Sequence, residues 1–214
     1  MIKLKQKKKR PPLIRLGIGI AVLGMVSTWW YVQRQTAATE HPETALFRAL
    51  QEPRVDLAGA FRSYDAEARV AAQLRAAGLQ FRSAILQRPP SSDYPPRTMV
   101  MLTVADYQHL GHGGTMVLEF FNDRLMEADF RPDDPSRYAA RLHRQYPGLK
   151  RGRTGHAEWK APPLRLWSTV DLARSKVGRT LGSEGVVLWQ DLRLIQQRDD
   201  WDARFGHIPV PAPD

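Results

Sequence analysis

The residues with the most chemical potential sit in one stretch, TMVLEFFNDRLMEADF at 115–130. Two apolar-alternating runs flank Asn122–Arg124, the pattern of a β-hairpin. Side-chain parity separates two registers, because a one-residue slip moves a whole strand face. A two-residue Asn-Asp turn would set Leu118 beside Glu127 and Met116 beside Asp129. A three-residue loop instead pairs Phe121 with Leu125 and gathers Met116, Leu118, Phe120, Met126, Ala128 and Phe130 on one apolar face. The second register is the expected one. It sets Glu119 directly opposite Glu127, with Asp129 one pair further along, opposite Val117. Like charges across a ladder repel, so this acidic face would suit a hard cation such as calcium, or a carboxyl with a raised pKa acting as an acid. The expected reading is nevertheless a solvated face bridged by some of the chain's many arginines.

Other reactive residue types are less well organised. His109 and His112 are three apart in HLGH, but the following glycines argue against a helix, and the Glu of an HExxH zinc helix is missing. Local hydrogen bonding in a turn is the simpler role. Ser168, Ser175 and Ser183 lie outside any GxSxG elbow. Trp159, Trp167, Trp189 and Trp201 could stack on a glycan or simply fill a core. Lys150, Arg151 and Arg153, in LKRGRTGH, form a basic loop suited to anionic headgroups or an acidic partner. Without cysteine, disulfides, thiolate metal sites and a cysteine nucleophile are excluded.

The 214 residues carry a formal charge of +10, from 32 Lys and Arg against 22 Asp and Glu. Residues 1–34 hold eight of the basic residues and no acidic one, leaving 24 basic against 22 acidic residues in the remainder. The basicity belongs to the leader, so a nucleic-acid-binding body is disfavoured. From Leu16 to Val32 the chain is uncharged, and Leu13 and Ile14 extend the apolar run. A helix needs about 20 such residues to cross a bilayer core. Trp29, Trp30 and Tyr31 suit the far interface, and the lysines suit the cytoplasmic side. A cleaved signal peptide is the alternative, with TAAT at 36–39 its only candidate cleavage region. Gly17, Ala21, Gly24 and Thr28 place small residues on one stripe of the span, an arrangement that lets membrane helices approach closely.

These segments give a basic tail at 1–12, a signal anchor at 13–33, a tether at 34–60, an exported domain at 61–206 and a Pro-rich tail at 207–214. Within the domain, a first helix should start from a Ser63 or Asp65 cap, bury Ala66, Val70, Leu74 and Ala77, and stop at Gly78. Leu79, Phe81 and Ile85 should lie on a half-buried strand, TMVMLTVADY should form an interior strand, and GHGG should form a turn. Asp134 should cap a second helix facing the core with Tyr138, Leu142 and Tyr146. Asp191 should cap a third, with Leu194, Trp201 and Phe205 on one stripe.

The expected fold class is α+β: an N-terminal transmembrane helix, then an antiparallel β-sheet covered on one face by two or three helices. The helix-then-meander order is similar to that of small outer-membrane lipoproteins that assist barrel assembly, but no motif of that class is shared. The expected role is an inner-membrane, single-pass adaptor or accessory subunit in a Gram-negative envelope. Its N-terminus would be cytoplasmic and its domain periplasmic. Its partners would be the membrane and another envelope protein, with self-association allowed. No nucleic acid, cofactor, metal ligand or catalytic residue is assigned. The alternatives are an anchored hydrolase or glycan-binding enzyme using the acidic face, and a cleaved, soluble periplasmic binding protein.

Overall fold

In a computed structural model, residues 41–88, 91–152 and 155–210 are described. The expected span at 13–33 and its stripe Gly17, Ala21, Gly24 and Thr28 lie outside them, as do Arg153 and residues 211–214. Among the described residues, no helix is long and apolar enough to cross a membrane.

The compact unit starts at His41 rather than Phe61. Residues 41–60, expected as part of the tether, pack on the domain. Phe47 and Leu57 are buried, and β1 (Asp56–Leu57) pairs with β2 (Phe61–Arg62). The physical reason is two arginines that grip this segment by its backbone, described below.

The class is α+β, with an eight-stranded, wholly antiparallel sheet. Its strands are β3 (Arg82–Arg88), β4 (Arg97–His109), β5 (His112–Phe121), β6 (Arg124–Pro132), β7 (Lys150–Arg151), β8 (Ala157–Ala161), β9 (Leu164–Ser168) and β10 (Val187–Asp191). The spatial order is β3-β4-β5-β6-β10-β9-β8-β7, so β10 returns to fill the gap between two meanders.

Helix α1 (Glu67–Ala76) buries Val70, Ala71 and Leu74, and Gly78 follows it at φ +73°, the left-handed conformation that ends a helix. Its N-terminus is not capped by Ser63 or Asp65. Asp123, in the β5–β6 turn, accepts the Glu67 amide at 2.9 Å instead. Asp65 is buried and paired with Arg54 and Arg69, while the Ser63 hydroxyl accepts the Val55 amide. Asp134 caps α2 (Pro135–Gln145) as the sequence predicts, accepting from Ser136 and Arg137, and Tyr138 and Leu142 are buried. Two short helices follow, α3 (Val170–Arg174) and α4 (Lys176–Thr180). Asp191 caps α5 (Leu192–Phe205), which buries Leu194, Trp201 and Phe205.

Both sheet faces carry helices, which corrects the one-sided expectation. Val70, Leu74, Tyr138, Leu142 and Val170 pack with Val100, Leu118, Phe120 and Trp189 in the main core. Leu194, Trp201 and Phe205 of α5 pack with Phe47, Tyr94, Phe121 and Met126 in a second. Phe120 and Phe121 are consecutive on β5 and therefore point to opposite faces. Burying both rings requires cover on both sides, at roughly 1.5–3 kcal/mol for each large apolar side chain removed from water.

Candidate functional site

The hairpin combines features of both registers. Asn122 and Asp123 form a two-residue turn at φ +48° and +59°, conformations that these residue types tolerate, so Phe121 pairs with Arg124 and Phe120 with Leu125. The register then shifts between Glu119 and Phe120, and from there Glu119 faces Glu127, Leu118 faces Ala128 and Val117 faces Asp129. The extra residue is Met126, a β-bulge. It restores the expected pairing of the carboxylates by another route. Leu125 joins the main core and Met126 the second, the reverse of the expected placement of Met126.

The acidic face is not the open, solvated surface expected from the sequence, because two of its carboxylates are buried between strands. Glu127 and Asp129 are 9% and 7% exposed, and Glu119 is half-buried. Gln190, opposite Glu127 on β10, donates its side-chain amide to Oε2 of Glu127. Arg131 donates to Asp129 Oδ2 at 3.1 and 3.3 Å, whereas buried Asp129 Oδ1 has no hydrogen-bond partner. Burial pushes the Glu127 carboxyl up to about 7; the Gln190 amide opposes this, and Glu119 adds to it. Burial also raises Glu119 and Asp129, against the arginines Arg198 and Arg131 respectively. Among the described residues, no group of three His, Cys, Asp or Glu side chains is placed to hold a metal ion.

Glu119 lines a cavity. It opens onto a groove of about 430 Å³ floored by Ala84, Leu86, Met99 and Met101, with Arg97 and Arg198 at its edge. The two flanking carboxylates usual in glycoside hydrolysis are not both present among these lining residues.

The remaining candidates disperse. His109 and His112 face each other at the ends of β4 and β5. His109 Nδ1 lies 2.6 Å from the Tyr138 hydroxyl among the rings of Phe130 and Trp189, and burial lowers its pKa to about 4. Glycines 113 and 114 belong to β5 rather than to a turn. Trp189 and Trp201 are fully buried in different cores, so the four tryptophans line no common surface. Lys150 and Arg151 are exposed, but they form edge strand β7, with Lys150 opposite Glu158, rather than a loop.

Two features were not anticipated. Arg124, 6% exposed, donates to the Phe47 and Ala49 carbonyls and to Gln197, and Arg193 donates to the Gln51 and Pro53 carbonyls. The second is β3, expected to be half-buried. Arg82 to Gln87 are all exposed, with Ile85 at 63% and Leu86 at 65%. Adjacent apolar residues on a strand point to opposite faces, so the Ile85-Leu86 pair between two arginines was the available sign of an uncovered edge.

No protein-family model matches the chain, and no curated protein matches it at a significant level.

Proposed function

We propose that this chain is a membrane-anchored adaptor whose exported domain docks a second envelope protein along β3. The observation that carries the reading is the exposure of six consecutive residues of a seven-residue edge strand, Ile85 and Leu86 among them, beside half-exposed Met101. Exposed apolar side chains on an uncovered edge strand of an otherwise well-packed domain are a common mark of a protein-interaction site. The basic leader and its apolar run supply the anchor in this reading, with the lysines cytoplasmic and the domain periplasmic.

The test is a photo-crosslinking amino acid placed at Leu86 in the full-length chain in cells. A discrete adduct with another envelope protein, identified by mass spectrometry, is expected. No adduct from positions 85, 86 or 101 in a normally folded chain would overturn the reading. A periplasm-dependent reporter fused after Asp214 should be active, and the mature protein should retain Met1–Arg10.

A second reading, an anchored hydrolase, rests on the Glu127 carboxyl held near 7 behind Glu119. Retention of cellular function by Glu127→Gln removes that reading.

A further inference from the structure

The geometry points to a defined mode of docking at β3: an extended segment of the partner adds a ninth strand, apolar at its centre and acidic at both ends. This inference rests on the adaptor reading and specifies its partner's chemistry.

The backbone supports strand addition. β3 ends the sheet, with β4 on one side and, among the described residues, no strand on the other. All seven of its residues pair with β4 in unbroken register, from Arg82↔Thr103 to Arg88↔Arg97. Edge strands are usually blunted by proline, a bulge, short length or an inward charge. Residues 82–88 contain no proline, their ladder has no bulge, and only the two ends are charged.

Side chains define the guest. Arg82, Ala84, Leu86 and Arg88 share the face that carries the groove, and Ser83, Ile85 and Gln87 share the other. Ala84 lies opposite Met101, and its small side chain leaves Met101 39% exposed. A large apolar guest residue opposite Ala84 would reach across it onto Met101. Arg82 and Arg88 end the strand and no acidic residue lies on it; Arg97, opposite Arg88, is already paired with Asp202 at 2.9 Å. Acidic guest residues at the ends meet this charge, although the Arg88 guanidinium also donates to the carbonyls of Phe205 and Ile208. A second copy of the chain fits poorly. Full antiparallel self-pairing about Ile85 sets Arg82 against Arg88 twice, and like charges directly opposite are destabilising.

The probe is a capped, fluorescent peptide, Glu-Thr-Val-Val-Val-Thr-Glu, added to the full-length chain in detergent micelles. Its palindrome presents the same side chains in either strand direction. Saturable binding is expected, with amide exchange in 82–88 slowed about tenfold at ten times the Kd. The Lys-ended analogue should bind roughly tenfold more weakly. An analogue N-methylated at alternate amides should not bind. Arg82→Glu should erase the preference between the two charged peptides, because each then meets one like and one opposite charge, and the exposure of Arg82 keeps the fold intact. No binding of the acid-ended peptide at about 1 mM, equal binding of both charged peptides, or binding without exchange protection would each overturn strand addition. So would self-association abolished by Leu86→Asp. Adducts from position 86 that persist in any of these cases would leave the adaptor reading standing and sink only this mode of docking.

Discussion

Glu119 faces Glu127 across the β5–β6 ladder, and the fold treats the two differently: Glu119 opens onto a groove, while Glu127 is buried under the Gln190 amide. The repulsion expected of such a pair is relieved by proton uptake, since burial holds the Glu127 carboxyl near 7. Folding therefore favours the protonated acid. Stability from this group is fully present below its unfolded value of 4.5 and is lost as pH rises through about 7. Glu127→Gln supplies a neutral isostere that keeps an acceptor for Gln190. It should stabilise the domain at pH 8 by up to about 3 kcal/mol and change little at pH 4, as measured by urea denaturation at both values. A wild-type chain more stable than the variant at pH 8 would mean that Glu127 is held ionised.

His109 has the opposite slope. Its folded pKa is lowered from 6.5 to about 4, so its contribution is fully present above 6.5 and is lost as pH falls toward 4. Between about 4.5 and 6.5 the two groups offset one another. The wild-type chain should show a shallow pH dependence in that window, whereas Glu127→Gln should expose the histidine's slope and lose roughly 3 kcal/mol on acidification. A flat profile in the variant would show that the His109–Tyr138 contact opens in acid.

Arg124 should matter more than a surface arginine. Replacing it with Met strands the Ala49 carbonyl and leaves the Phe47 carbonyl with the Asn122 amide as its remaining donor, at a cost of roughly 1–3 kcal/mol. Trypsin should then cut after Arg48 and Arg54 well before it attacks the sheet. Equal protection of these sites in variant and wild type would mean that Phe47 and Leu57 alone hold the segment.

Gly111 and Gly114, at the β4–β5 connection, should respond differently to a side chain. A Cβ on Gly114 would lie 2.3 Å from the Arg131 carbonyl and 2.7 Å from the Phe130 ring. Gly114→Ala should therefore cost about 3 kcal/mol. Gly111, at φ +77° with open space around it, should cost about 1 kcal/mol when changed to Ala. Thermal melts of the two variants would rank them.

What could be read from the sequence follows from range. Helix ends set by local chemistry, the Asp134 and Asp191 caps and the Gly78 stop, stand where residue type put them. The facing carboxylates were legible too, because alternation fixes parity along most of the hairpin. The bulge was not: parity cannot tell a three-residue loop from a two-residue turn followed by one extra residue. The cap on α1 comes from Asp123, 56 positions from its target, and the cover over Phe121 comes from α5 at the far end of the domain. No local pattern encodes such partners. Ile85 counted as inward-facing because apolar residues usually are, and only the strand order shows that, among the described residues, no strand lies beyond it.

Arg124 and Arg193 hold residues 47–53 through carbonyl oxygens rather than through side chains. Backbone oxygens are common to every amino acid, so the segment's composition is free to drift while its path over the domain stays fixed. The attachment is also mechanical. A pull on this segment from its His41 end would meet these charged hydrogen bonds together with the buried Phe47 ring.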